Sequence, residues 1–338
     1  MRCLVTGVGG FVGSHLAERL IADGHDVIGV DAFLDYYHRS LKMANLRAVS
    51  TSERFQLIEG DLNELPLDSL LDGCDWVFHQ AAQAGVRASW GTSFGVYVRA
   101  NIDATQRLLE AMVRARHVRR FVYASSSSVY GDAPELPVTE QTLTRPVSPY
   151  GVTKLAAEHL CSLYWRNYRI PTVSLRYFTV YGPRQRPDMA FHRFCKAVAS
   201  GQPITVYGDA TQTRDFTYVS DVVEANIQAA EVRGAEGQIF NIAGGSRVAL
   251  ADVIATLEEV AGRSAIIEYE QTARGDVRDT FADTTRAREQ LGYAPHVSLR
   301  DGLAQEYAYI TKLYEQASLS SPASALTLLG DPDTLPTV

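Results

Sequence analysis

A tyrosine and a lysine four residues apart, Tyr150 and Lys154 in the run Ser148-Pro149-Tyr150-Gly151-Val152-Thr153-Lys154, are the residues of this sequence most suited to moving a proton. Leu155, Leu160, Leu163 and Tyr164 follow at helical spacing, which puts both side chains on one helix face. A phenol titrates near ~10, so it is a poor base at neutrality unless a nearby cation stabilises the phenolate. Lys154 is the expected source of that charge. The spacing is common by chance and gains its weight from its surroundings. Upstream lies the run Ser125-Ser126-Ser127-Ser128. A hydroxyl at a strand end opposite Tyr150 could hold a substrate oxygen within transfer distance of the phenolate. Such runs also occur in loops whose hydroxyls satisfy backbone groups.

A second constellation lies at the start of the chain. Residues 2–6 are a short apolar strand, followed by Gly7-Val8-Gly9-Gly10-Phe11-Val12-Gly13 and an amphipathic run from Ser14 to Ala22. Gly7, Gly10 and Gly13 let the backbone turn tightly and let a pyrophosphate reach the amides at a helix N-terminus, where the dipole favours anions. A second strand, Asp26 to Val30, ends in Asp31. A carboxylate there would accept hydrogen bonds from the adenosine ribose and repel a 2′-phosphate, so NAD is expected rather than NADP.

The elements that must position these residues alternate. Further strands are read at Phe55 to Ile58, Trp76 to His79, Phe121 to Ala124, Thr172 to Arg176 and Ile239 to Ile242. Helices are read at Asn101 to Arg116 and Tyr150 to Tyr168. Asn101 and His79 read as structural, with Asn101 a candidate cap for the helix it opens. The alternation predicts an α/β fold with a Rossmann-type doubly wound parallel sheet, ligands binding at the carboxyl ends of its strands. The NAD-binding domain is expected over 1–179 plus 239–245. A smaller α/β substrate domain is expected over 180–238 and 246–315, and a tail, poor in charge, over 316–338.

With 338 residues, 46% hydrophobic and 21% charged, the chain reads as an ordinary globular protein. A formal charge of −7 argues against nucleic acid or an anionic membrane as partner, so any phosphate must be held by a local cluster. Cys3, Cys74, Cys161 and Cys195 lie far apart without metal-ligand spacing and read as buried thiols in a reducing compartment. No signal peptide is read before the first strand and no apolar run approaches ~18 residues, so the expectation is a cytoplasmic protein.

Over roughly residues 1–315 the chain resembles the extended short-chain dehydrogenase/reductases, specifically the nucleotide-sugar epimerases and dehydratases. The motifs are Thr6-Gly7-x-x-Gly10-x-x-Gly13, Asp61-Leu62, His79-Gln80-Ala81-Ala82, Asn101 with Thr105, Ser125 to Gly131, Tyr150-x-x-x-Lys154, Arg176-Tyr177-Phe178, Val180-Tyr181-Gly182-Pro183, Arg214-Asp215-Phe216 and Phe240-Asn241-Ile242. The resemblance implies an NAD site of Gly7, Gly10, Phe11, Val12, Gly13, Asp31, Gln80, Ala81, Ala82, Asn101, Ser125 and Tyr150. Asp61 and Leu62 would flank the adenine, Lys154 would bind the nicotinamide ribose and Tyr177 would lie near the nicotinamide. It implies Ser126, four before Tyr130, as the catalytic hydroxyl, with a register that could slip by one. Arg214 and Arg274 would grip a diphosphate, with Asp276 near the nucleotide ribose. It also implies a homodimer paired through the helices Asn101 to Arg116 and Tyr150 to Tyr168, with Leu108, Leu109, Met112, Leu155 and Leu163 available for contact.

The reaction is narrowed by what is missing from the serine run. Dehydratases resembling this chain carry an Asp-Glu pair just after the catalytic hydroxyl, and decarboxylases carry a Glu two positions after it. Ser127 and Ser128 stand there instead. Reversible oxidation at C4 with return of hydride to the opposite face is therefore favoured over elimination. Gln83 to Arg87 and Gly182 to Phe191 look like UDP-glucuronate 4-epimerases, whose substrate bears a C5 carboxylate. Arg186, and also Arg87, would meet that carboxylate, with Ser126, Ser127, Ser128 and Thr179 around the sugar. UDP-glucose 4-epimerases resemble one another in having Asn at the place of Thr179. A 4-epimerase for UDP-glucose or UDP-N-acetylglucosamine, a UDP-glucuronate decarboxylase, and a non-enzymatic NAD-responsive binding protein remain as alternatives.

Overall fold

The computed structural model describes residues 1–271, 275 and 277–319. Seven parallel strands form the central sheet: β1 (Arg2–Thr6), β2 (Asp26–Asp31), β3 (Phe55–Glu59), β4 (Trp76–His79), β5 (Arg120–Ser126), β6 (Thr172–Tyr177) and β7 (Ile239–Ile242). Their spatial order is β7-β6-β5-β4-β1-β2-β3. The order reverses direction between β1 and β4, which opens the crevice where such sheets bind ligands. Because successive side chains leave a strand on opposite faces, the apolar runs fill two cores. Cys3 and Val5 of β1 join one apolar cluster, while Leu4 between them joins the other.

Helix α1 (Phe11–Ala22) packs Leu16, Ala17 and Leu20 into the first cluster. Into the second go Leu108, Leu109 and Met112 of α3 (Ala104–Arg114) and Ala157, Cys161 and Tyr164 of α4 (Pro149–Tyr168). Three of the five residues expected at a dimer interface are therefore elsewhere: Leu108, Leu109 and Met112 are at most 1% exposed inside the chain's own core. Apolar spacing identifies a buried face without saying what buries it. Leu163, 51% exposed, does face outward.

Between β2 and β3 lies the short helix α2 (Arg39–Asn45). Beyond β6 come α5 (Ala190–Ser200), α6 (Val219–Glu231), α7 (Leu250–Ala261) and α8 (Leu299–Leu319). Short strand pairs join 180–181 to 217–218, 203–207 to 266–270, and 213–215 to 247–249. β7 pairs with β6, so this late stretch returns to the large sheet as the sequence suggested. The first apolar cluster runs without a break from the sheet to Leu303 and Ile310 of α8. α8 reaches Leu319, past the 315 boundary read from the sequence. The rest of that tail, with Arg274 and Asp276, lies outside the described residues.

The four cysteines are free and buried, as expected. No helix among the described residues is long and apolar enough to cross a membrane.

Candidate active site

The carboxyl ends of the central strands carry the residues with chemistry, and a small set of close approaches fixes them there. β5 ends at Ser126, and a tight turn over Ser127–Val129 follows. The Ser126 hydroxyl accepts the Ser128 amide at 3.1 Å and hydrogen-bonds the Tyr150 phenol, which stands in the first turn of α4. Ser148 caps α4 by accepting the Gly151 amide at 3.1 Å, and Pro149 begins the helix where no amide is required. Gly151 is needed at this approach. A Cβ there would lie 2.6 Å from the Ser128 carbonyl oxygen, so only glycine lets the helix start rest on the serine turn.

A buried ion pair ties α4 to the sheet. Arg176 on β6 donates from Nε and Nη2 to the Glu158 carboxylate at 2.9 and 2.6 Å, and the Ser125 hydroxyl donates to the same carboxylate at 2.7 Å. Arg176 Nη1 donates to the Tyr130 hydroxyl, which donates to Asn241 on β7. The resulting network spans β5, α4, β6 and β7. Of the serine run, Ser125 serves this network while Ser126 meets the tyrosine.

Lys154 donates from Nζ to the Ala124 carbonyl at 2.8 Å and is 3% exposed; burial pushes its pKa down to about 7. The expected direct action of its charge on Tyr150 is not the dominant effect here. Burial raises the Tyr150 pKa, and the charge of Arg186 and the Ser126 hydrogen bond oppose that rise. A lysine held in so apolar a place loses its own charge too readily to be a strong stabiliser.

Arg186 comes from the segment Gly182–Asp188, which is pinned from three sides. The Gly182 amide donates to Glu306 of α8 at 2.7 Å. Arg184 pairs with Glu18 of α1 at 2.5 Å, and His15 bonds the Pro183 carbonyl at 2.9 Å. Arg184 thus braces the segment against α1. Arg186 itself makes a two-pronged pair with Asp188, Nε to Oδ1 at 3.0 Å and Nη2 to Oδ2 at 2.9 Å. Tyr36, which follows β2, donates to Asp188 Oδ2 at 3.2 Å and packs against the backbone of Gly85. Tyr97 donates to the Ala84 and Gly85 carbonyls, and its ring meets that of Tyr150 edge-on at 6.3 Å. An aromatic wall of Tyr36, Tyr97 and Tyr150 therefore surrounds one arginine and one carboxylate.

The family model described as the NAD dependent epimerase/dehydratase family matches residues 3–243. The chain belongs to this family. It is similar to the UDP-glucuronate 4-epimerase of Thermodesulfobacterium geofontis, 39% identical over 306 residues covering 89% of this chain and 93% of that one. It is also similar to the uncharacterized UDP-glucose epimerase YtcB of Bacillus subtilis, 46% identical over 316 residues covering 93% and 99%. Among solved structures, the UDP-glucuronic acid 4-epimerase from Bacillus cereus in complex with UDP-glucuronic acid and NAD superposes with a TM-score of 0.90. It is 45% identical, over 93% of this chain and 100% of that one.

The glycine turn of this family member fits a dinucleotide. Gly7 has φ +69, and a Cβ on it would lie 2.7 Å from the Ala81 amide nitrogen; one on Gly13 would lie 2.3 Å from the Gly7 carbonyl oxygen. Gly10 precedes α1 with no side-chain cap, so the first-turn amides of Phe11, Val12 and Gly13 face outward for an anion. Asp31 accepts the Gly9 amide at 2.9 Å through Oδ2 and the Phe33 amide at 2.7 Å through Oδ1. Each oxygen keeps a further lone pair for a ribose hydroxyl.

The remaining expected residues are spread along the same edge. Asp61 accepts both Asn63 and Arg99, while Leu62 is buried beside it. Gln80 bonds Asn226, and the Tyr177 hydroxyl donates to Gln80 at 3.1 Å. Ala82 follows Ala81, whose amide donates to Thr6. Asn101 does not cap a helix. It lies inside a π turn, Val98–Asp103, where its side chain exchanges bonds with the Gln83 backbone and donates to Thr153 at 2.9 Å. That contact fastens the Gln83–Arg87 segment to α4. His79 bridges Thr6 and Thr105, and burial lowers its pKa to about 3, so it is neutral and structural. Ser127, Ser128 and Thr179 are half-buried. Arg87 stacks on the Tyr207 ring at 4.0 Å and Arg214 donates to the Arg278 carbonyl at 2.6 Å.

Tyr36, Asp188, Glu158 and Glu306 are the site residues that sequence reasoning passed over. Asp188 lies within the segment Gly182 to Phe191, and Glu306, outside every motif, carries no local signal. Tyr36 and Asp188 are 152 positions apart and meet only in the fold.

Proposed function

We propose that this chain catalyses the NAD-dependent 4-epimerisation of UDP-glucuronate to UDP-galacturonate through a 4-keto intermediate. NAD, held by the glycine turn and Asp31, supplies a reversible hydride acceptor at C4. Tyr150 takes the proton from the C4 hydroxyl, and Ser126 orients that oxygen while stabilising the phenolate through their hydrogen bond. Lys154 holds the nicotinamide ribose. The carrying observation is Arg186: a partly exposed guanidinium whose charge bears on the Tyr150 phenol, on the segment where a C5 carboxylate is expected. Ser127 and Ser128 supply no acid for elimination. Arg214, Arg274 and Asp276 take the diphosphate and nucleotide ribose, and Arg87 stands with Arg186 as a candidate for the carboxylate.

One observation favours a second substrate reading. Asp188 already balances the charge of Arg186, so a neutral C6 hydroxymethyl group, as in UDP-glucose, meets no unpaired cation. The two are separated by incubating the protein with each UDP-sugar and analysing the product sugars. UDP-galacturonate formed without accumulation of NADH supports the proposal. Turnover of UDP-glucose alone would overturn it, and UDP-pentose as main product would make the chain a decarboxylase.

The division into an NAD domain, 1–179 with 239–245, and a sugar-nucleotide domain, 180–238 with 246–315, belongs to the same proposal. So does a homodimer, built on the outer face of α4 where Val152 is 46% and Leu163 51% exposed. A monomer by light scattering at micromolar concentration would refute it. Four free thiols are consistent with residence in the reducing cytoplasm.

A further inference from the structure

The Arg186–Asp188 pair has a feature that a simple carboxylate receptor would lack. The Asp188 carboxylate occupies the Nε/Nη2 fork, which leaves the Nη1 side of the guanidinium for another acceptor. Both side chains stay about one fifth exposed, 20% for Arg186 and 19% for Asp188. Tyr36 fixes Asp188 by donating to the oxygen that also receives Nη2. Burial works against the Asp188 charge, but the Arg186 guanidinium outweighs it and holds the carboxyl below its usual range. Burial likewise opposes the Arg186 charge, and Asp188 outweighs it, so the pair is ionised and neutral in sum.

We propose that Asp188 is a specificity-determining residue: it keeps Arg186 charge-balanced when the sugar brings no carboxylate, and so sets how widely the site accepts C6 groups. This rests on Arg186 being the residue that meets the C5 carboxylate. A neutral hydroxymethyl group closing over the balanced pair removes water from two charges that already satisfy each other. A sugar carboxylate instead adds a second anion beside the one already on the fork, and mutual repulsion tempers its binding. Replacing Asp188 by a neutral residue reverses both effects. The carboxylated sugar then has the cation to itself, while the neutral sugar buries an uncompensated guanidinium.

The test measures dissociation constants for UDP-glucuronate and UDP-glucose by calorimetry on NAD-bearing protein, in a Tyr150→Phe background so that neither ligand is converted. Asp188→Asn should raise the preference for UDP-glucuronate over UDP-glucose by on the order of tenfold to a hundredfold, the scale of a like charge removed from a partly buried site. If that variant does not fold, Asp188→Ser, smaller and equally uncharged, carries the same expectation. Tyr36→Phe removes a hydrogen bond from Asp188 but no charge, and should move the preference by no more than about twofold. A preference unchanged or lowered in the neutral variants overturns the proposal. An equal shift from Tyr36→Phe also overturns it, since geometry rather than charge would then be responsible. If the Tyr150→Phe protein itself fails to bind UDP-glucuronate, the substrate assignment falls, and the role of Asp188 falls with it. If it binds that ligand well and the neutral variants leave the preference unmoved, only the role of Asp188 is lost.

Discussion

Lys154→Met should make the protein more stable at neutral pH while removing its activity. Burial moves the Lys154 pKa from 10.5 to about 7, a displacement of roughly 3.5 units at 1.36 kcal/mol each. At pH 7 about half of the folded molecules carry the charge, whereas the unfolded chain is fully protonated, so the burden on the folded state is about 4 kcal/mol. Methionine has a similar length and no charge, but it forfeits the 2.8 Å bond to the Ala124 carbonyl, a loss of about 1–2 kcal/mol. The net expectation is a gain of about 2–3 kcal/mol. Its sign with pH follows from the unfolded chain binding more protons between the two pKa values: the wild type strengthens as pH rises from about 7 toward 10.5. The advantage of the variant should therefore be full below pH 7 and vanish toward pH 10. Urea unfolding of both proteins freed of NAD, from pH 6 to 10, reads it directly, with turnover on UDP-glucuronate measured in parallel. A variant less stable than wild type at pH 7, or a difference that does not change with pH, would refute the account of Lys154 as a strained, buried cation.

Tyr150→Phe should lower the turnover number ~100-fold to ~10,000-fold with NAD still bound, and retained activity would mean that another group is the base. Gly151→Ala forces a Cβ to within 2.6 Å of the Ser128 carbonyl oxygen and should displace Tyr150 from Ser126. A fall in turnover of about 100-fold with an intact fold is expected, and kinetics equal to wild type would show that the helix start tolerates the shift. Glu158→Leu should destabilise by about 3–5 kcal/mol by stranding buried Arg176, and Glu158→Leu/Arg176→Met should recover most of that loss in denaturant titrations. Arg186→Ala should weaken UDP-glucuronate and raise the share of UDP-pentose among the products, because a 4-keto acid decarboxylates once its carboxylate is free to turn perpendicular to the carbonyl. Equal losses on UDP-glucuronate and UDP-glucose, with no change in product ratio, would assign Arg186 to the diphosphate or the fold.

The strands and the glycine turn could be read from sequence because their determinants are local. β4 and β7 fall at Trp76–His79 and Ile239–Ile242, short runs rich in apolar residues. Gly7 and Gly13 are fixed by backbone approaches inside one βα unit. The pair Tyr150 and Lys154 was legible for the same reason, being one turn of one helix. Legibility failed where partners come from distant segments. Leu108, Leu109 and Met112 have an apolar stripe that suits a dimer and a core equally, and the sheet claims it. Asn101 has the residue type of a cap but sits inside a π turn, so its amide turns to Gln83 and Thr153 instead.

The electrostatics of Tyr150 show most clearly what spacing cannot supply. Sequence places a lysine one helical turn from the phenol, and nothing local reveals that the ammonium will be 3% exposed and directed at a carbonyl. Burial is a property of the whole sheet packing onto α4, and it weakens the lysine's charge as it raises the tyrosine's pKa. The cation that does bear on Tyr150 arrives 36 positions later, on a segment held by α1, α8 and Tyr36 together. The base and the expected carboxylate receptor are thereby joined electrostatically. A sugar carboxylate that partly neutralises Arg186 would reduce that residue's help to the phenolate, and Asp188 already sets part of the same balance. If Arg186 receives the sugar carboxylate, substrate selection and proton transfer draw on one guanidinium, and a substitution at Arg186 or Asp188 is expected to change both together.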